Sequence, residues 1–406
     1  MHSSPIRVAR TATSYVATRF NMWKFAGYSD RRFRDDVRYD LQAVTDGFLP
    51  RIDDSDDDSE LLGRICEAFI RAAHQQKSVP AVYQAKEWWL QARQGSLRPV
   101  IEALLTRNIG ALRKMYQNFY RDPCSSGLLG PPNGMRNAYF GSEIKDVYRR
   151  FYLGHVLCRL DYWKEQTEGR FAVQDLAGPG IGNPFGVVIE GTHIGVGAEY
   201  SHYCAHRIDD LLGPEGKSVV AEIEGGFGGM AYYLLRNRSA LVYVDFDAPE
   251  RIALTAYYLL KAFPKLRVLL YGEGDLTAAA LARTDVALMP IFSLPDMAAD
   301  SVDMTFSSHT ISKAGFETIA EYLCHIDRMT RRLFFCIADQ RGSELISDLI
   351  RRKFSSSTLT ETRSSGWHSY KVSGAGVGGA RRLAESVLVE QLYRRAEGRS
   401  CTEHRP

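Results

Sequence analysis

Residues Ser218 to Asp247 read SVVAEIEGGFGGMAYYLLRNRSALVYVDFD. An apolar run of strand length meets a turn with four glycines in five positions. An amphipathic helix, a second strand and an acid follow. A chain ordered this way builds a parallel strand–helix–strand unit. The alternation continues. PERIALTAYYLLKAF predicts a helix opened by Pro249 at its first turn. RVLLYG, VALMPI, VDMTFSS and LFFCIA predict strands, and GFETIAEYLCHIDRMTRR predicts a helix before the last of them. From Lys217 onward the expectation is a mostly parallel sheet covered by helices.

Upstream the pattern differs. From about 55 to 170 apolar residues recur at three- and four-residue spacing, as in SELLGRICEAFIRAAHQQ and LRPVIEALLTRNIGALRKMYQNFY, which predicts helices. The acidic run Asp53 to Glu60 reads as a solvated loop before the first of these. Ser125 to Gly141, rich in glycine and proline, must be a loop. Leu176 to Gly197 is too glycine-rich for helix, with one short strand expected at Val187 to Ile189. The chain thus divides into an N-terminal mainly helical domain (1–175), a linker and cover segment (176–212) and an α/β domain (213–406), without internal repeat.

Composition excludes several classes. A formal net charge of +3 over 406 residues, with Lys and Arg scattered, gives no footprint for nucleic acid. No apolar run approaches a membrane span. The seven cysteines are odd in number and contain no CxxC, so neither a disulfide framework nor a zinc site is indicated, and the expected compartment is the cytoplasm. The first twenty residues lack acids and carry Arg and Ser, a superficial likeness to a transit peptide, but composition alone identifies targeting poorly and the preferred reading is an ordinary first segment.

The glycine turn Glu224-Gly225-Gly226-Phe227-Gly228-Gly229 lets the backbone approach a ligand closely before a helix N-terminus. Asp245 follows Gly226 at about the ~20 residues expected of an acid that binds ribose hydroxyls. Glu222 and Glu224 oppose a pyrophosphate but suit a ligand carrying ammonium and sulfonium. That favours S-adenosylmethionine over a nicotinamide dinucleotide. Close helix-to-strand packing without ligand is the alternative.

The blocks NFYRDPCSSGL (Asn118 to Leu128), GNPFGVVIEG (Gly182 to Gly191), HYCAHRI (His202 to Ile208), EIEGGFGGMAYYLL (Glu222 to Leu235), YVDFDAPERIALTAYYLLKAFP (Tyr243 to Pro264), LMP (Leu288 to Pro290), FSSHTIS (Phe306 to Ser312) and VEQLYRR (Val389 to Arg395) resemble those of the bacterial sugar O-methyltransferases, class I S-adenosylmethionine enzymes. The likeness runs from about Leu112 to Arg394. It implies a Rossmann-like methyltransferase sheet. It implies that Gly225, Gly226 and Gly228, with Phe227, wrap the methionine portion of the cofactor, and that Glu222 holds the turn or faces the ammonium. Asp245, with Phe246 beside it, would take the ribose, and Met289 and Pro290 the adenine. Ser307, Ser308 and His309 would face the reacting methyl. Two positions depart from the family pattern: Glu224 stands where glycine is usual, and Lys313-Ala314 where an acid is usual.

Methyl transfer to a weakly nucleophilic hydroxyl needs positioning and a base. His309 is the first candidate base, with a loop-bridging role as its alternative. His202 is a second catalytic candidate. It lies four residues before His206, so the two share a helix face, and with Tyr203 they are candidates for substrate contact; no metal is expected. Trp367, next to His368, is a candidate stacking platform for a sugar, or else a residue buried under a C-terminal helix. Trp88 and Trp89 in EWWL read as core of the helical part, and the Ser125 to Gly141 loop as a candidate lid. The expected function is methylation of a sugar hydroxyl on a glycosylated natural product or its precursor, by a small-molecule enzyme compatible with a homodimer. The alternatives are a methyltransferase-like protein that catalyses a cyclisation or rearrangement instead, and a nicotinamide oxidoreductase.

Overall fold

The computed structural model describes residues 20, 22–52, 57–85, 87–128, 139–140, 143–214, 216–309, 311–354, 356–367 and 388–396. The other residues, including the first nineteen, most of the candidate lid and His368, lie outside this description.

The N-terminal part forms helices α1 (Gln42–Gly47), α2 (Ser59–Gln75), α3 (Glu87–Gln94), α4 (Arg98–Thr106), α5 (Ile109–Tyr116) and the long α6 (Asp146–Gln166). Their spacing explains them. In α2, Leu62, Ile65, Cys66, Phe69 and Ala72 fall on one buried face. α5 starts where the Asn108 side chain accepts the Ala111 amide. The acidic run departs from expectation. Asp58, predicted to be solvated, is 3% exposed, because Arg113 (2.5 Å) and the Tyr257 hydroxyl (3.2 Å) hold its carboxylate.

The irregular middle forms a hairpin, β1 (Gly186–Ile189) against β2 (Thr192–Gly195). The sequence reading anticipates only its first strand. Helix α7 (Ala198–Leu212) then leads to the sheet.

The sheet comprises β3 (Ser218–Ile223), β4 (Leu241–Asp247), β5 (Val268–Leu270), β6 (Val286–Pro290), β7 (Val302–Ser308), β8 (Thr330–Asp339), β9 (Ser357–Ser365) and β10 (Leu388–Arg395). Its order is β5-β6-β4-β3-β7-β8-β10-β9. β5 through β8 are mutually parallel where they pair, and β10 runs antiparallel to both β8 and β9. The connecting helices are α8 (Gly229–Asn237), α9 (Pro249–Ala262), α10 (Ala278–Ala282), α11 (Phe316–Met329) and α12 (Gln340–Lys353). The expected α/β class, a Rossmann-like sheet preceded by helices, is what forms. Among the described residues no helix is long and apolar enough to cross a membrane.

Two details correct the expectations. The C-terminal segment Leu388–Arg395 is a strand, β10, not a helix. It is buried on both faces over its first six residues, so it lacks a two-residue alternation. The helix before β8 ends at Met329, and Thr330-Arg331-Arg332 already belong to the strand. Helix α9 is buried almost all round. It lies between the sheet and α2, so one continuous core joins the N-terminal helices to one sheet face.

The strand order places the site. The chain moves from β3 outward through β4 to the edge strand β5, comes back one place to β6 between them, then crosses β3 to β7. The order reverses between β3 and β7. Open α/β sheets bind ligands at the carboxyl end of such a reversal.

Candidate active site

The turn after β3 lies at that reversal, and each of its parts has a steric or electrostatic reason. A Cβ on Gly225 would sit 2.8 Å from Asp245 Oδ1 and 2.9 Å from the Glu222 carboxyl carbon. Gly228 has φ +89° and packs against Thr255 and Leu259 of α9, so the helix approaches closely only because the side chain is absent. Gly226, at φ +77°, faces more open space, with the Leu128 side chain 3.6 Å from where its Cβ would be. Acids fix the turn: the Gly225 amide donates to Asp245 Oδ1 (3.2 Å) and the Gly226 amide to Asp247 Oδ2 (3.0 Å). Thr255 Oγ1 donates to the Gly226 carbonyl at 2.7 Å.

Four carboxyls therefore gather under one turn. Glu222 and Asp245 are level across β3 and β4, and Asp247, two residues on, shares the face of Asp245. Glu222 accepts the Tyr243 hydroxyl at 2.5 Å. Burial lifts the Glu222 carboxyl to about 7, Asp247 adding to the rise and the Tyr243 hydroxyl opposing it. Burial and Asp247 lift Glu224 to about 7 as well, against the pull of Arg251 and Lys313. Asp245 is raised well above its ordinary range by burial, then by Asp247 and Glu222. Asp247 is raised by burial and held down by Arg251. One oxygen of Asp245, Oδ2, is buried without a hydrogen-bond partner. Such a cluster resists a further anion and gains from a cation.

Glu224 itself has φ 60°, the left-handed conformation that disfavours a side chain, and its amide donates to the Phe246 carbonyl at 2.7 Å. His309 shares this unusual backbone, at φ 66°. Ile223 and Ser307 are paired across β3 and β7, so these two left-handed residues flank the reversal on adjacent strands.

The His309 side contains a group that sequence reasoning finds only in part. The His309 ring lies 5.4 Å from the Tyr200 ring, and the Tyr200 hydroxyl is 2.7 Å from Ser308 Oγ. Trp367 lies beside Tyr200, with ring centroids 5.3 Å apart. It is 1% exposed, enclosed by Tyr162, Tyr200, Tyr203 and the Arg159 guanidinium. Its faces are filled in this conformation, so it offers no open platform for a sugar. Tyr203 is tied below it, donating to Glu390 at 2.7 Å while Arg363 also holds Glu390.

His202 and His206 do share a face of α7, as their spacing requires, but it is turned away from Tyr200. His202 packs among Trp163, Phe171 and Tyr233, and its Nδ1 accepts the Trp163 indole N–H at 3.2 Å. Burial pushes it down to about 4, so it is neutral at physiological pH. His206 packs on Phe171 and faces Asp210 at 3.1 Å. Neither is brought to the glycine turn. Among the described residues no three His, Cys, Asp or Glu side chains are arranged to hold a metal ion.

The remaining candidates divide by sheet face. Phe246 and Met289 belong to the core on the face away from Asp245. Pro290 is level with Asp247 at the strand ends. Phe227 leaves the turn and packs with Phe119, Tyr120 and Tyr258. Helix α3 covers the first turn of α9. The Trp89 indole and the Arg93 guanidinium both bind the Glu250 carboxylate, at 2.8 Å and 2.5 Å, and Arg251 stacks 4.2 Å over Trp89. Sequence reasoning misses Tyr200, Asp247, Arg251 and Thr255. Two signals for them exist: Asp247 repeats Asp245 at strand period, and Tyr200 precedes Tyr203 at helical spacing.

No family model matches the chain, and no curated protein matches it in sequence. Solved structures resemble it weakly. Magnesium protoporphyrin IX methyltransferase from Synechocystis PCC 6803, with bound S-adenosylmethionine, has 10% identity and a TM-score of 0.31 over 60% of this chain and 97% of its own. The 4+2 cyclase SpnF has 11% identity and a TM-score of 0.34 over 50% and 82%. TrmN from Thermus thermophilus has 12% identity and a TM-score of 0.32 over 48% and 49%. Likenesses this slight carry no chemistry from those proteins to this one.

Proposed function

We propose that the chain is an S-adenosylmethionine-dependent O-methyltransferase acting on a small hydroxylated molecule, with a sugar hydroxyl of a glycosylated metabolite as the acceptor. The observation that carries this reading is the acid-bound glycine turn at the strand-order reversal. Four carboxyls lie under that turn, three of them buried, and a pyrophosphate there would meet like charge. A ligand with an ammonium and a sulfonium would relieve it.

The residues present fit such a cofactor. Gly226 leaves space beside the turn, and Asp245 keeps an unpartnered buried oxygen. The glycine turn would hold the methionine portion, Asp247 with Asp245 beneath it the ribose side, and Pro290 with Met289 the adenine side. When bound, S-adenosylmethionine supplies an electrophilic methyl on a sulfonium. Tyr200 and Ser308 would orient the acceptor hydroxyl, and His309 would take its proton. His202, packed in the core behind α7, has a structural part in this reading.

The test is calorimetry with S-adenosylmethionine, S-adenosylhomocysteine and NAD, followed by transfer of a labelled methyl to glycosides. Binding of the first two and labelling of a hydroxyl are expected. NAD binding alone would end this reading. His309→Gln should cut the transfer rate by about 10²-fold or more while S-adenosylhomocysteine affinity stays unchanged.

One observation favours a second reading, a methyltransferase-like protein that rearranges or cyclises its substrate. Glu224 sits within the turn in a conformation suited to glycine. If only a Glu224→Gly variant binds S-adenosylmethionine, this second reading gains the site.

A further inference from the structure

Glu224 and Lys313 have no role in the fold that accounts for them. Glu224 adopts left-handed backbone at φ 60° and is half-buried as a residue. Holding a non-glycine residue there carries a steric cost. Lys313 ends the short 3-10 turn Ile311–Lys313 just beyond β7. Among the described residues neither side chain makes a hydrogen bond or ion pair. They are close enough that Lys313 eases the ionisation of Glu224, yet they are not in ion-pair contact.

Every other charge at the turn is committed. Glu222 accepts from Tyr243, Asp245 from the Gly225 amide, and Asp247 from the Gly226 and Ala248 amides. Arg251 lies against Asp247 at 3.5 Å and stacks on Trp89. The amides of Gly225 and Gly226 are therefore already bonded, so an arriving carboxylate must find its cation elsewhere. Two unpaired opposite charges, one in the turn after β3 and one in the 3-10 turn beyond the adjacent β7, match a ligand group that carries both signs.

We propose that Glu224 and Lys313 together bind the zwitterionic amino-acid end of the cofactor, the Glu224 carboxylate taking the ammonium and the Lys313 ammonium taking the carboxylate. This rests on the S-adenosylmethionine reading and makes both residues binding residues of that site. Charge-assisted bonds of this kind are roughly twice as strong as neutral ones. Removing either should weaken only ligands that possess the amino-acid end.

The experiment titrates S-adenosylhomocysteine and 5′-methylthioadenosine, which lacks that end, into the parent, Glu224→Gln, Glu224→Gly, Lys313→Met and the exchanged Glu224→Lys/Lys313→Glu protein. Each single variant should lose about tenfold or more in S-adenosylhomocysteine affinity and hold 5′-methylthioadenosine within about twofold. Retained binding of that smaller ligand also certifies a folded site. The exchanged protein should recover part of the loss. The proposal is overturned if the single variants keep S-adenosylhomocysteine within twofold, if they weaken both ligands alike, or if Glu224→Gly binds more tightly than the parent. Failure of the underlying cofactor reading is distinct: there the parent itself binds neither adenosyl ligand.

Discussion

Replacing Glu222 by glutamine should stabilise the protein at alkaline pH and leave it nearly unchanged at acid pH. Glu222 is 4% exposed, and its carboxyl is raised from an ordinary 4.5 to about 7, chiefly by burial. A folded-state pKa above the unfolded one means that the folded protein prefers the protonated form. That contribution is complete below pH 4.5 and is lost as pH rises through 7. Above 7 the buried carboxylate opposes folding by about 3 kcal/mol, taking ~1.36 kcal/mol for each of roughly 2.5 units. Glutamine is neutral throughout and still offers Tyr243 an oxygen to donate to, in place of the 2.5 Å bond to the carboxyl. It also relieves Asp245 and Asp247 of a like charge, an effect of the same sign. Urea unfolding at about pH 4 and about pH 8.5, followed by circular dichroism, measures the difference. A stabilisation of up to about 3 kcal/mol is expected at the higher pH and almost none at the lower. Equal shifts at both, or destabilisation at the higher pH, would refute the charge reasoning. If the cluster serves a cationic ligand, the stabler variant should bind S-adenosylmethionine less tightly, the usual opposition of stability and site function.

Three further outcomes follow from the same geometry. Gly225→Ala should destabilise the fold by about 1–3 kcal/mol and abolish cofactor binding, because its Cβ meets Asp245 and Glu222 inside 3 Å; thermal melting with and without S-adenosylhomocysteine reads both effects. Arg93→Met should cost about 3 kcal/mol, since the Glu250 side chain is 3% exposed and loses a two-pronged partner. The double variant Arg93→Met/Glu250→Gln should recover much of that loss in chemical denaturation, whereas equal losses would mean that the carboxylate finds water. Affinity for S-adenosylmethionine should rise between about pH 6 and pH 8, as Glu222 and Glu224 ionise near 7. Calorimetry in buffers of different ionisation enthalpy should detect proton release on binding, and a flat profile would disconnect these acids from the ligand.

What could be read in the sequence was whatever repeats with a fixed period or needs glycine. The strands from Ser218 to Asp339 and the helices α8, α9 and α11 between them follow from apolar runs and spacing, whereas the five-residue α10 is too short to show a period, and the turn at Gly225 to Gly228 follows from steric need alone. Strand β10 resists the same treatment because both faces are covered, so its polar residues, Glu390 and Gln391, are buried rather than alternating outward. The site was half legible for a related reason. Sequence reasoning weighs a side chain by its chemical type, which ranks His202 with His309. The fold weighs it by direction: α7 turns His202 toward Trp163 and Phe171, and turns Tyr200, which has no reactive reputation, toward His309. The acids show the same limit along a strand. Counting residues from Gly226 selects Asp245, yet Asp245 is level with Glu222 while Asp247 reaches the strand end beside Pro290. The spacing rule fixes the face and not the depth, and depth decides which of two identical carboxylates can meet a ligand. Glu224 and Lys313 stand at the far end of that scale. Glu224 shows in the sequence as an acid inside a glycine turn and Lys313 as a departure from a resembled pattern, but only the pairing of β3 with β7 brings together the turns that follow these two strands.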